Sequence, residues 1–126
     1  MISRHIDSTI GPLILRLTLG VTMLIAHGLP KLINFAAKSN TFPDPLGISP
    51  KLSLTLTVLA EVVCAICIIL GAKVRLSSIP LIIAMAVAAF VVHAGQPWHR
   101  QELAFIYLFG FITLFFTGPG KFALKE

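Results

Sequence analysis

The chain has 126 residues, 56% of them hydrophobic and only 12% charged, with ten Lys/Arg against five Asp/Glu and a formal net charge of +5. A soluble domain of this length carries about twice that share of charge, so the solvent around most of this chain is lipid. The basic excess flanks apolar stretches, where it attracts anionic lipid headgroups and not nucleic acid.

Four apolar stretches, at about 12–29, 52–70, 79–94 and 102–118, predict an all-α, integral membrane four-helix up-down bundle. Residues 1–126 are read as a single four-span membrane domain. Each stretch holds roughly 15–20 residues, about 23–30 Å of helix. The first is no cleaved signal peptide, since it contains Arg16 and ends in "HGLPKL", without a small-residue cleavage site. "GLP" predicts the end of the first helix, because Pro30 cannot extend it and Gly28 loosens its last turn. The segment from Lys31 to Lys51 is the long loop, with Pro43, Pro45, Gly47 and Pro50. Its first part, "KLINFAAK", predicts a short interfacial helix with Leu32, Phe35 and Ala36 against lipid and both lysines toward water. Gly71 stops the second helix, and Pro80 is expected in the first turn of the third. "GQPW" ends the third and "TGPG" the fourth. Arg4, Lys73, Arg75, Lys121 and Lys125 gather at one end. Lys31, Lys38, Lys51 and Arg100, diluted by Asp44 and Glu102, gather at the other. The bias predicts that both termini are cytoplasmic.

Polar residues inside a membrane face the bundle interior, because lipid exposure costs several kcal/mol. At about 100° per residue, Arg16, Gly20, Met23 and His27 share a face of the first helix, and Lys31 continues it. Glu61 shares a face with Leu54, Thr57, Ala65 and Ile68, and His93 lies over Ala89, Ala86 and Ile82. Glu102 heads a stripe of Ile106, Phe109, Thr113 and Phe116. Four such faces pointed at one axis order the polar groups from the outside inward as His27, His93 and Glu102, then Glu61, then Arg16. Glu61 lies about 13 Å into its helix, within expected reach of Arg16 or another basic or hydrogen-bonding group.

Taken singly, these residues have plainer readings. Arg16 can anchor its helix by reaching the headgroups, and His27 and His93 can cap helix ends. Together, His27, Glu61, His93 and Glu102 make a ligand site that opens to the periplasmic half and exchanges protons, with Arg16, Lys31, Trp98 and Phe109 as further candidates. Trp98 and Tyr107 read as interface-belt aromatics, Trp98 also closing the outer pocket, and Phe109 as the contact for a flat ring. Two histidines and a carboxylate can ligate a metal, but here they lie on three helices without close spacing, and no metal site is expected. Cys64 and Cys67 form a C-x-x-C in mid-span. The helix N-terminus that lowers a thiol pKa in redox pairs is missing there, so they read as packing residues.

The segments "LRLTLGVTMLIAHGLPKL" (15–32), "LAEVVCAICIILGAKVRL" (59–76), "VVHAGQPWHRQELAFIYL" (91–108) and "TGPGKFAL" (117–124) cover most of the chain in a recognisable order. In them the chain resembles the DoxX family of small bacterial membrane proteins. The matching positions are Arg16, Gly20, His27, Gly28, Lys31, Glu61, Gly71, Arg75, Glu102, Gly118, Pro119 and Gly120. Two features depart from the pattern: Val63 and Cys64 stand where the family has small residues after its Glu, and the tail reads "KFALKE". The resemblance implies a multi-pass protein of the bacterial inner membrane with redox associations. Relatives include a thiosulfate:quinone oxidoreductase subunit and a component linked to membrane oxidative-stress complexes.

Three functions are compatible with these residues. The first is a redox-associated accessory or quinone-interacting subunit, with a lipid quinone as its cofactor and turnover only as part of a membrane oxidoreductase. The second is a structural subunit of a larger membrane assembly, through a membrane protein partner or as a homo-oligomer. The third, a small-molecule carrier or channel, lacks the duplicated halves of transporters. No haem, flavin or nucleotide motif occurs in the sequence.

Overall fold

The computed structural model describes residues 2–124, with side chains from Ile10 onward. Arg4 and Lys125, which entered the charge comparison, lie outside those described side chains. Four helices are long and apolar enough to cross a membrane: α1 (Ile10–Ile33), α3 (Pro50–Leu70), α4 (Val74–Val92) and α5 (Trp98–Thr117). One short helical turn, α2 (Phe35–Lys38), lies in the connection between α1 and α3. No strand occurs among the described residues. Consecutive long helices pack side by side, and α5 returns to α1, closing an antiparallel ring. This is the all-α membrane bundle that the apolar spans imply.

The helix ends follow from local chemistry. Ser49 caps α3 by accepting the Leu52 N–H at 3.1 Å, with Pro50 at the first position, where its missing N–H is not needed. Gly71, at φ +77°, ends α3 in a left-handed turn, and the Ala72 N–H bonds back to the Cys67 carbonyl at 2.9 Å. Two boundaries differ from expectation. α4 begins at Val74, so Pro80 falls in its second turn. α1 does not stop at Gly28 but continues through Pro30 to Ile33. A wide π turn at Leu24–Gly28 precedes Pro30 and places it at the start of the next α segment, where proline is tolerated. Gly28 is there for proximity: a Cβ on it would lie 2.3 Å from the Glu61 carbonyl oxygen. Further π turns occupy Leu59–Cys64 and Ala88–Val92. No residue type marks these wide turns in the sequence, although such turns gather at functional sites.

The core joins Leu19 and Met23 of α1, Ala65 and Ile68 of α3, Leu81 and Met85 of α4, and Leu108, Phe111 and Leu114 of α5. On α4 Ala89 alone of the expected inward face is buried, with Ile82, Ala86 and His93 half-buried; on α1 and α3 the buried residues include Arg16, Gly20, Met23, Leu54, Glu61, Ala65 and Ile68 of the expected faces. On α5 they do not: Ala104, Tyr107, Leu108, Phe111 and Leu114 point inward, whereas Glu102, Ile106, Phe109 and Phe116 are exposed. Glu102 is exposed, just past the first turn of α5 and near its wet end, where a carboxylate needs no interior partner; it therefore does not orient the helix. The loop also departs from expectation. Phe35 packs on the small cluster of Leu54, Val58 and Val62 instead of facing lipid.

Candidate functional site: a polar-walled groove between helices

At the end of the bundle that holds the 34–49 loop, a cavity of about 720 Å³ lies among α1, α3, α4 and α5. Its apolar wall includes Met23, Ala60, Met85 and Ala88, and the loop residues Phe42, Pro43, Pro45 and Leu46 roof it. The packing of α4 on α3 runs along Leu59–Cys64 and Ala65–Leu70; toward Pro50 the two helices diverge. Leu56 and Leu59 of α3 and Ile83 of α4, each about half exposed, line the resulting opening. The cavity is thus a groove whose side entrance faces the lipid.

The polar groups of the groove arise from the wide turns. Glu61 belongs to the π turn of α3 and His27 to that of α1. Lys31, one turn beyond His27, reaches across to Glu61: its Nζ lies 2.7 Å from Glu61 Oε1, with side-chain exposures of 20% and 5%. The same ammonium donates to the His27 carbonyl at 3.4 Å. Lys31 continues the inward stripe of Arg16, Gly20, Met23 and His27 and not the water-facing side of an interfacial helix, because a carboxylate this deep needs a charge partner. Tyr107, expected in the interface belt, is instead buried, and its ring meets the His27 ring edge-on with centroids 5.4 Å apart. His93 lines the rim, its Nδ1 3.1 Å from Gln96 Oε1. Arg100 and the half-buried free thiol of Cys64 also contribute to the wall.

Of the residues singled out in the sequence, the groove brings together His27, Lys31, Glu61 and His93. Arg16, Trp98, Glu102 and Phe109 lie outside its lining. Trp98 leans on Phe105 with ring centroids 5.0 Å apart, and Phe109 stacks with the same ring at 6.3 Å. Tyr107 and Arg100 also line the groove: Tyr107 carried no site signal because its inward direction depends on the rotation of α5, and Arg100, exposed in the first turn of α5, reads in the sequence only as a flanking charge. Among the described residues no three His, Cys, Asp or Glu side chains converge as a metal site would require.

Arg16 has a different task from pairing with Glu61. It is 2% exposed and sits at the far end of the bundle. Its Nε donates to the Ile68 carbonyl at 3.0 Å and its Nη2 to Ile69 at 2.9 Å, the last turn of α3. Nη1 donates to the Pro119 carbonyl at 3.0 Å and to that of Phe122. The guanidinium therefore staples the tail to the C-terminal end of α3, whose dipole favours a cation. Leu124 adds an N–H bond to the Leu70 carbonyl at 3.3 Å, and Arg75 Nε donates to the Phe115 carbonyl at 3.1 Å.

At the roof, Asp44 organises the loop by accepting the N–H groups of Ile48 and Ser49 and the Ser53 hydroxyl at 3.0, 2.9 and 2.8 Å. Desolvation pushes its pKa up, but the Ser53 hydroxyl and the backbone N–H groups of Ser49, Ile48 and Gly47 outweigh it. The carboxyl is held below the usual aspartate range.

No curated protein and no solved structure matches the chain. The DoxX family model matches residues 11–94, which contain most of α1, the groove loop and all of α3 and α4. With two thirds of its length matched and four spanning helices in sequence, this chain belongs to the DoxX family.

Proposed function

We propose that the protein is a quinone-interacting, redox-accessory subunit of the bacterial inner membrane, with both termini in the cytoplasm. The observation that carries this reading is the lipid-facing groove with a single buried ion pair in its wall. A prenylated quinone has a flat polar head on an apolar tail, and pockets of about 300–1,000 Å³ hold molecules of that size. The head fits among Glu61, His27 and Tyr107, and the tail leaves between Leu59 and Ile83 into the bilayer. A bound quinone supplies two-electron chemistry. The chain's own residues bind the ring, keep bulk water out beneath the Phe42–Leu46 roof, and offer Glu61 and His27 as proton carriers. Electrons must come from a partner, because the sequence holds no motif for haem, flavin or nucleotide.

The test is what accompanies the protein from its membrane. Protein purified in mild detergent should carry a quinone in its organic extract, in near-stoichiometric amount. The Ala88→Phe variant, whose ring would fill the groove, should have lost most of it when folded to the same extent. A stoichiometric membrane protein partner with no quinone would replace this reading with that of a structural subunit.

A further inference from the structure

The hydrogen-bonding polarity of the groove bears on the oxidation state of a ligand held there; this rests on the quinone reading above. Only one oxygen of the Glu61 carboxylate is engaged by the protein: Oε1 accepts from Lys31 at 2.7 Å. Oε2 accepts from no group among the described residues, yet no buried side-chain oxygen is left both sealed and unpartnered. Glu61 lines the cavity, so Oε2 opens onto it. A carboxylate paired with an ammonium accepts hydrogen bonds and donates none.

The neighbouring groups do not reverse that polarity. Lys31, beside Glu61, spends two of its three N–H groups on Glu61 and the His27 carbonyl. The third, like Arg100 elsewhere in the wall, can donate to a carbonyl or a hydroxyl oxygen alike. The His27 ring and the Tyr107 hydroxyl, each able to donate or accept, bond to no protein group among the described residues and suit either form of a ligand. Glu61 alone discriminates. A quinone presents two carbonyl oxygens, which only accept; facing Oε2, one of them would set oxygen against oxygen. A quinol presents hydroxyls, one of which can donate to Oε2.

We infer that the groove binds quinol in preference to quinone, with Glu61 Oε2 as the group that reads the hydroxyl and Tyr107 and His27 serving the opposite oxygen. A hydrogen bond to a charged acceptor changes affinity by about one to two powers of ten. Tighter binding of the reduced form raises the midpoint potential of the bound couple, by about 30 mV for each tenfold in a two-electron couple.

The experiment uses the full chain in lipid nanodiscs, kept anaerobic. Decylubiquinone and its borohydride-reduced quinol serve as probes, and binding of each is followed by equilibrium gel filtration. The quinol should bind about tenfold or more tighter than the quinone. Glu61→Gln, whose amide both donates and accepts, should bring the ratio close to one. Tyr107→Phe should weaken both forms alike and leave the ratio standing. Should Glu61→Gln not fold, the wild-type ratio and its persistence in Tyr107→Phe carry the test. Equal binding, or tighter binding of the quinone, overturns the polarity and leaves the groove as a quinone site. A ratio abolished by Tyr107→Phe overturns the assignment to Glu61. Binding of neither form overturns the quinone reading and this inference together.

Discussion

The two ends of the bundle each bury a charge, and they satisfy it in opposite ways. At the tail end, Arg16 gives its guanidinium to four backbone carbonyls from α3 and the tail. Around it the packing closes: a Cβ on Gly71 would lie 2.7 Å from both Ala123 Cα and the Arg16 guanidinium. At the loop end, Glu61 finds a side-chain partner for one oxygen only, and the helices around it diverge into a cavity of about 720 Å³. A charge with four of its five N–H donors given to backbone carbonyls holds a fold together. A charge half used, beside a cavity, has capacity left for a ligand. The contrast also explains why Arg16 and Glu61 do not pair: a carbonyl-rich helix end takes up the cation where it stands.

Substitutions at the two ends should therefore differ in kind. The largest effect is expected for Arg16→Met, which fills a similar volume but orphans carbonyls of the α3 end and releases the tail. Each buried acceptor left without its donor costs about 1–3 kcal/mol, and the loss of several together reads as a marked fall in the thermal stability of the detergent-solubilised protein. If Arg16→Met melts like wild type, the tail end is no clamp and the contrast fails.

Gly28→Ala comes next. The added Cβ would meet the Glu61 carbonyl oxygen at 2.3 Å, so α1 and α3 must separate at their π turns. Overpacking of this kind costs about 1–3 kcal/mol. It should also weaken retention of a groove ligand, because His27 and Glu61 ride on those two turns. Unchanged melting with unchanged ligand content would show that the close approach of the turns does not matter.

The smallest effect is acidic and confined to the loop end. Asp44 is held below the usual aspartate range, so the folded chain binds this proton less readily than the unfolded chain. Its contribution is complete above the ordinary aspartate pKa and is lost as pH falls through the lowered folded value. The protection of the Ile48 and Ser49 amides against hydrogen exchange, relative to their intrinsic rates, should fall in that acidic window in the wild type and show no such step in Asp44→Asn. The tail end should show no such step, since arginine does not titrate there. Equal acid sensitivity at both ends would remove the distinction.

Much of this architecture is determined by the sequence alone. Four apolar spans with Gly and Pro between them leave only a membrane bundle, because lipid cannot satisfy exposed backbone groups. The inward faces of α1 and α3 were legible for the same reason: Arg16 and Glu61 sit too deep to meet water, so their helices must turn them inward. That argument fails on α5, where Glu102 lies at the wet end and imposes nothing. Volume decided instead, with Tyr107, Phe111 and Leu114 filling the core and Phe109 left outside. Only the tertiary structure could choose Lys31 over Arg16 as the partner of Glu61, since the choice depends on which end of α1 each occupies and on what else is within reach. The π turns at Leu24–Gly28, Leu59–Cys64 and Ala88–Val92 were likewise invisible, because each is set by packing between helices and not by any residue's own preference. The groove exists because of them and of the divergence of α3 from α4, and both are properties of helices in contact.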